Sequence, residues 1–264
     1  MIITSNLDSP DDVPASPQGT LLAAAIDVEW SKNYRVRGGN VPFCYSVTWL
    51  TLPHEHARPG TAGFRYTSAY VQDASETGDL TASADRALRH ALDHASLIAG
   101  HQLSSDLAVL AAAARAPHPG ITAAQTAWRR RRQHDPGGPR FLDTRYDTGH
   151  ILRCASRRLV DVCADLNLDV TQPELRGTSM TALHRRWLEQ ADTPAREKIT
   201  VLNLRHALST ALVAARAAGL ASWPPGLKVN TMLAAGLDGT LGWLNDPVFT
   251  ALLKGGARCC VTAW

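Results

Sequence analysis

The chain has 264 residues and a net charge of only +3, so it is not strongly polybasic and any polyanion partner would have to bind a local cluster. Its 45% hydrophobic content predicts a folded core rather than a disordered chain, and its length allows one sizeable domain with an appendage. The five cysteines lack zinc-type spacing, and no apolar run is long enough to span a membrane. We therefore expect a soluble cytoplasmic protein with reduced thiols and no membrane partner.

The first part of the chain is predicted to form strands. Residues 1–18 are rich in Ser, Asp and Pro, and we expect a flexible leader there. The apolar run 21–28 predicts a buried strand. Residues 41–52 and 64–72 predict two further strands because apolar and aromatic residues alternate in them. Three consecutive strands indicate an antiparallel meander.

Helical spacing begins after this meander. Small and apolar residues in 81–95 predict a helix, with Thr81 or Ser83 as its cap. Residues 97–100 predict a short buried strand, and 106–114 a second helix. Residues 116–140 contain Pro, Gly and four consecutive arginines, and are expected to be an inserted surface segment. The arginines would form either a solvated charged face or a phosphate-binding surface.

The remaining elements are one strand and several helices. Residues 141–144 predict a fifth short strand, whereas 157–166 and 202–218 are the clearest later helices. Two prolines at 224 and 225 suggest a boundary. We therefore expect a main domain over 19–220 and an appendage over 221–264 that packs on the core or on a protein partner.

Two carboxylates stand at the end of the first apolar strand. Side chains alternate along a strand, so Asp27 and Glu29 are expected to share a face. Neighbouring carboxylates repel each other unless a cation lies between them, which predicts a metal site, although solvated acids are the simpler alternative. Asp106 and His206 are the other candidate ligands. Asp106 could instead only favour the helix dipole, and His206 could belong to a polar helix face.

These segments resemble the DEDD 3′-to-5′ exonucleases, which include proofreading exonucleases, oligoribonuclease and RNase T. The resemblance covers about residues 20–220 and rests on Asp27-x-Glu29, on the turn 100–102 followed by Asp106, and on the helix around His206. It implies an α/β chain with an RNase-H-like mixed five-stranded sheet flanked by helices, and a small C-terminal appendage.

The last motif departs from the family pattern. In one register, His206 stands where the family has an Asp ligand and Leu202 where it has Tyr. In a second register, His206 is the general-base His and Ala211 replaces the Asp. We prefer the first register, because the Ala-x-x-Thr context after His206 fits the ligand helix of the family.

The resemblance implies a metal-dependent nuclease. Two divalent cations, Mg²⁺ or Mn²⁺, would be held by Asp27, Glu29, Asp106 and His206, and the enzyme would remove nucleoside 5′-monophosphates from single-stranded DNA or RNA. An imidazole ligand favours Mn²⁺ over Mg²⁺. Because imidazole must be neutral to bind metal, activity is expected to fall below a pH of about 6.5.

Five residues are candidates for substrate contact. Trp30 could stack on a terminal base or pack in the core, and Lys32 and Arg35 could bind phosphates. Gln102 and Asn203 could contact or orient the substrate.

Two other functions are compatible with the sequence. One is a catalytically inactive relative that binds nucleic acid or a nucleotide, and the other is an adaptor that acts through the C-terminal tail.

Overall fold

The computed structural model describes residues 1–31, 39–53, 64–133 and 138–254, which form an α/β fold. The strands are β1 (Ile2–Ser5), β2 (Thr20–Ser31), β3 (Val41–Pro53), β4 (Phe64–Tyr70), β5 (Leu97–Gly100), β6 (Arg140–Asp143), β7 (Leu168–Asp169) and β8 (Leu227–Lys228). The helices are α1 (Thr77–His94), α2 (Leu103–Ala113), α3 (Pro119–Arg130), α4 (Leu159–Asp165), α5 (Met180–Gln190), α6 (Thr193–Ala217), α7 (Val229–Leu237) and α8 (Pro247–Lys254).

The main sheet of the described chain has six strands in the order β1-β4-β3-β2-β5-β6. Strands β1 to β4 pair antiparallel, whereas β5 and β6 run parallel to β2. Ala25 is level with Ala99, and Gly100 is level with Asp143. The carboxyl ends of β2, β5 and β6 therefore meet at one edge of the sheet, next to one another.

The expected five-stranded sheet is corrected at the N-terminus, where residues 2–5 of the expected leader add a sixth strand. Residues Ile2–Ser5 form β1, which pairs with β4 as an additional edge strand. The Asn6 side chain extends this attachment, because it accepts a hydrogen bond from the Tyr66 backbone at 2.8 Å. Backbone pairing stabilises this short segment, and it does not depend on the hydrophobic pattern from which strands are predicted.

Several helices differ from their predicted positions, and α6 begins at Thr193 rather than at the expected residue 202. Helix α1 begins at Thr77, before the expected caps at Thr81 and Ser83. Helix α3 lies inside the segment expected to be a surface insertion.

Helix α3 is anchored by an apolar stripe at helical spacing, formed by Ile121, Ala124 and Trp128. Its approach to α1 requires a glycine: a Cβ atom on Gly120 would lie 2.3 Å from the backbone oxygen of Asp85. The prediction of an inserted surface segment was wrong. The arginines at the end of α3 made its apolar stripe difficult to recognise in the sequence.

The C-terminal segment belongs to the main core. Leu233, Leu237 and Phe249 are fully buried in the same apolar cluster as Leu204 and Leu208 of α6. Of the two alternatives expected for residues 221–264, packing on the core is the one observed up to residue 254, where the described chain ends. The two prolines interrupt the helices without interrupting the core.

A buried polar network also fixes this segment. Arg205 is completely buried and donates two hydrogen bonds of 2.7 Å to Glu174. Its Nε–H donates to Asn230 at 2.6 Å, and the Trp243 indole donates to Glu174 at 3.0 Å. Helix α6 is thereby tied to α7 and to the following turn. No described helix is long and apolar enough to cross a membrane.

Candidate metal centre

Strand β2 carries two acids to the edge where three parallel strands end. Residues 22–28 are all buried, and Asp27 is the only acid within that run. The side chains of Asp27 and Glu29 are 12% and 19% exposed, so both remain accessible from one side. A register shift follows between Glu29 and Trp30, where the pairing with β3 becomes irregular.

Helix α6 places an imidazole against both acids. The Nδ1 atom of His206 lies 3.6 Å from Oδ2 of Asp27 and 3.5 Å from Oε1 of Glu29. One ligand atom from each of these three side chains lies within 4.8 Å of the other two. Residues separated by nearly 180 positions thus form a group of the size and chemistry that holds a divalent cation.

Asp106 lies in the first turn of α2 and is 2% exposed. Its Oδ2 atom has no hydrogen-bond partner in the described structure. Burial raises the pKa of this carboxyl well above its usual range, and the charges of Asp27, Glu29 and Asp143 raise the pKa further. The ligand atoms of Asp106 are outside the 4.8 Å group. Its charge nevertheless acts on the same site, and a buried unpaired carboxylate is a group that a cation would stabilise.

Asn203 fixes the position of Asp27. Its Nδ2 donates hydrogen bonds to Oδ2 of Asp27 at 2.6 Å and to the backbone oxygen of Asp27 at 3.2 Å. The Cys44 thiol donates to the Asn203 side-chain oxygen at 3.5 Å. Because Asn203 is completely buried, the expected substrate contact is corrected to a role in positioning Asp27.

Asp143 was not among the sequence-based candidates. Its carboxylate accepts backbone hydrogen bonds from Gln102, Leu103 and Arg145 at 3.1, 2.9 and 2.9 Å. It therefore caps α2 and fixes the turn that carries Asp106. Burial raises the pKa of Asp143 despite these bonds. The sequence did contain one sign of a role for Asp143. It lies in the strand predicted over 141–144, close to the end of β6 and level with the end of β5.

The turn 101–102 has a structural role. Gln102 adopts a left-handed backbone conformation, with φ of 70° and ψ of 40°, and its N–H donates to Asp143. His101 Nδ1 lies 2.9 Å from the Thr144 hydroxyl, and burial lowers the pKa of His101 to about 4. His101 is consequently neutral at physiological pH.

The other candidate substrate contacts lie after the acids. Trp30 is half-buried and packs against the core, in agreement with the structural alternative. Lys32 and Arg35 lie outside the described residues.

Gln172 contacts the second nitrogen of the candidate histidine ligand, and sequence reasoning missed it. Its Nε2 lies 3.0 Å from Nε2 of His206. If the amide is turned, its oxygen can accept the Nε2–H and leave Nδ1 free as a ligand, an arrangement common around metal-bound histidines. No local motif marks Gln172, because it lies just before the turn Pro173–Leu175, which has no helical or strand periodicity.

The two acids change the protonation of His206. Burial lowers its pKa, but the hydrogen bonds and charges of Asp27 and Glu29 raise it more strongly, to about 10. Without a metal, His206 is therefore an imidazolium that neutralises part of the acidic charge. A cation that binds here must displace this proton. From an unperturbed histidine, loss of metal binding was expected below a pH of about 6.5. The raised pKa of His206 shifts this change to higher pH, so that affinity for a metal would rise toward pH 10.

The free energy of unfolding without metal should fall as the pH rises from about 6.5 to 10. The folded pKa of His206 exceeds its unfolded value, so its stabilising contribution is complete below 6.5 and is lost through pH 10. Urea unfolding in EDTA at several pH values measures this slope. His206→Gln should therefore reduce this slope.

The exposed His94 provides the matched control for this measurement. His94→Gln should retain the wild-type slope. Identical slopes for wild type and His206→Gln would contradict the assignment of a bound proton to His206.

No protein-family model matches this chain, and no curated protein is significantly similar to it. The function must therefore be inferred from the chemistry of the site rather than from a relative.

Proposed function

We propose that this chain is a metal-dependent 3′-to-5′ exonuclease with an RNase-H-like fold, acting on single-stranded DNA or RNA. The observation that carries the proposal is the convergence of Asp27, Glu29 and His206 within 4.8 Å. The buried, unpartnered oxygen of Asp106 beside them adds a fourth candidate ligand.

The arrangement of elements supports this fold assignment. Three antiparallel strands are followed by a helix and two strands parallel to the first, and a long helix closes the site. This is the element order expected from the resemblance, with β1 as an additional edge strand. The candidate ligands lie on three elements: Asp27 and Glu29 on β2, Asp106 on α2 and His206 on α6. These are the elements to which the resemblance assigns the three motifs.

The donor set fits a divalent cation. Carboxylate oxygens are ligands for both Mg²⁺ and Mn²⁺, whereas the nitrogen of His206 favours Mn²⁺. When bound, a pair of such ions supplies activation of the attacking water and stabilisation of the leaving 3′-oxygen. Asp27, Glu29, Asp106 and His206 would hold the ions.

The residues around the ligands have separate tasks. Asn203 holds the Asp27 carboxylate in place, so that less ordering is needed when a cation binds. Gln172 orients the His206 ring through its second nitrogen. His206 releases its proton to solvent before its Nδ1 can act as a ligand. Asp143 holds the turn from which Asp106 projects.

One observation favours a second candidate function, a catalytically inactive nucleic-acid-binding module. His206 lies close to both carboxylates and is cationic without metal. Its positive charge can therefore neutralise the two acids in place of a metal ion. In that case, the site would be stable without metal and would not hydrolyse phosphodiesters. The two functions differ in whether Mn²⁺ can displace the His206 proton.

The test follows single-stranded DNA and RNA oligonucleotides labelled at the 5′ end on a denaturing gel. Wild type is compared with Asp27→Asn in Mn²⁺, Mg²⁺ and EDTA, and Asp79→Asn, an exposed acid, is the matched control. We expect a ladder that shortens from the 3′ end, faster in Mn²⁺, absent in EDTA and in Asp27→Asn, and retained in Asp79→Asn. No cleavage by folded wild type in any metal would reject the exonuclease in favour of the inactive module.

A further inference from the structure

An arginine-rich groove runs along the free edge of the main sheet. It has a volume of about 920 Å³ and is lined by residues of α1, α3 and the start of β6. Arg89, Arg130, Arg131 and Arg140 line it, together with Phe141. A smaller depression of about 360 Å³ continues it past Arg132 to Asp147. This groove is separate from the metal ligands, and the proposed chemistry does not use it.

The positive charge of the groove is largely available to a ligand. Arg130, Arg132 and Arg140 are exposed, and none of them forms an ion pair with an acid in the ranges that the structure describes. Arg131 is held differently: its guanidinium lies 3.7 Å from the centroid of the Trp128 ring and pairs with Asp147 at 3.5 Å. This stacking gives the groove a fixed cation on its wall.

Acids in the groove only partly offset this charge. Asp93 lines it, and Asp147 is paired with Arg131. Arg89 pairs with the buried Asp85 at 3.3 Å. The three arginines that form no ion pair with a described residue therefore leave a net positive surface, which is complementary to a polyanion.

The groove leads toward the candidate metal centre. Strand β6 begins at Arg140 in the groove and ends at Asp143, level with Gly100 on β5. Three residues of strand cover about 10 Å, and β6 is two strands, again about 10 Å, from β2. A short extended polymer can thus reach from Arg140 to Asp27.

An exposed aromatic ring lies just after the end of β6, next in sequence to Asp147 of the smaller depression. Tyr146 follows β6, is 59% exposed, and donates its backbone N–H to the Asp143 carbonyl at 3.1 Å. The Arg145 guanidinium lies 5.8 Å from the centroid of its ring. An exposed ring beside cations is the combination on which single-stranded bases stack while their phosphates are bound.

We propose that this groove and Tyr146 bind the single-stranded nucleic acid upstream of the nucleotide at the metal centre. The inference rests on the proposed function for the class of ligand. Phosphates contact Arg130, Arg132 and Arg140, and one base stacks on Tyr146. These contacts read no sequence, so DNA and RNA of any sequence should bind similarly.

Binding is measured by fluorescence anisotropy with a labelled 20-nucleotide oligothymidylate in EDTA, where no cleavage can occur. The triple variant Arg130→Gln/Arg132→Gln/Arg140→Gln should bind at least about tenfold more weakly at 0.1 M salt. Its plot of log affinity against log salt should be shallower by about 2, because three phosphate contacts are lost at about 0.7 each. Tyr146→Ala should weaken binding while keeping the wild-type slope.

A matched control removes the same charge elsewhere. Arg65→Gln/Arg86→Gln/Arg185→Gln changes three arginines that do not line the groove, and it should bind as wild type does. Equal binding by wild type and both triple variants would overturn the inference, as would no binding by wild type. Displacement of the DNA by an equal charge of polyglutamate would also overturn it in favour of an acidic protein partner.

The outcomes separate this inference from the proposed activity. Groove-dependent binding by a chain that cleaves nothing would support the groove and reject the exonuclease. The opposite outcome is a chain that cleaves both dinucleotides and 20-mers, with a groove variant that loses the same fraction of kcat/KM on each. That outcome would support the exonuclease and reject the groove. If both are correct, the groove variant loses kcat/KM on the 20-mer and retains it on a dinucleotide, which is too short to enter.

Discussion

His206→Asp should destabilise the protein in EDTA and at the same time make it a better Mg²⁺ binder. The substitution removes the imidazolium that lies 3.5–3.6 Å from Glu29 and Asp27, and it adds a third carboxylate to the same group. Without a cation, the uncompensated charge should lower the free energy of unfolding by about 2–3 kcal/mol. With Mg²⁺, hard oxygen ligands replace the nitrogen, so the cation should recover most of that loss.

Thermal unfolding with increasing Mg²⁺ and Mn²⁺ measures both effects. In EDTA, the Tm of His206→Asp should fall by about 5–10 °C, and saturating Mg²⁺ should restore it. His206→Asn is the matched control, because it removes the imidazole without adding charge and should gain little from Mg²⁺. If an exonuclease activity is present, His206→Asp should also lose the preference for Mn²⁺. A variant as stable as wild type in EDTA, with no response to Mg²⁺, would contradict the assignment.

Asp106→Asn should increase stability without metal and abolish metal-dependent activity. The Oδ2 atom of Asp106 has no hydrogen-bond partner among the described residues. Burial raises the pKa of this carboxyl, and the neighbouring acids raise it further. Its folded pKa is raised, so the folded chain binds more protons than the unfolded chain above the unfolded pKa, and stability is lost as the pH increases. Removing this charge should therefore stabilise the fold by about 1–3 kcal/mol at pH 8, and lower activity by at least about 100-fold.

The buried Asp85 provides the contrast to this prediction. Its Oδ1 accepts the Ile121 backbone N–H at 2.9 Å, and its Oδ2 lies 3.3 Å from Nε of Arg89. Asp85→Asn should consequently destabilise the fold. Urea unfolding of both variants in EDTA at pH 8 compares them directly. Destabilisation by Asp106→Asn, with activity unchanged, would show that this carboxyl is a structural group rather than a ligand.

The sequence predicted the elements that rest on strong hydrophobic patterns. Strand β2 and helix α6 were recognisable from continuous apolar or helical spacing. Asp27 and Glu29 were assigned to a metal site because neighbouring carboxylates at a strand end favour a cation between them. His206 was added to that site because its helix resembles the last motif of the family. The succession of predicted strands and helices indicates an α/β chain, whereas the mixed sheet was expected from the family resemblance.

The missed features depend on contacts between segments that are distant in the chain. Strand β1 exists because β4 offers a free edge, and the C-terminal helices are in the core because α6 offers an apolar face. Gln172 and Asp143 act on His206 and Asp106, which lie 34 and 37 residues away, and Gln172 has no local motif. The raised pKa of His206 likewise arises only when α6 meets β2.

Isothermal titration of Mn²⁺ into the metal-free protein at pH 8 tests the central claim most directly. Repeating the titration in buffers of different ionisation enthalpy counts the protons released. We predict binding to wild type, loss of binding in Asp27→Asn, and about one proton fewer released by His206→Asn than by wild type. Absence of binding, or binding that neither substitution changes, would contradict a metal centre formed by Asp27, Glu29 and His206.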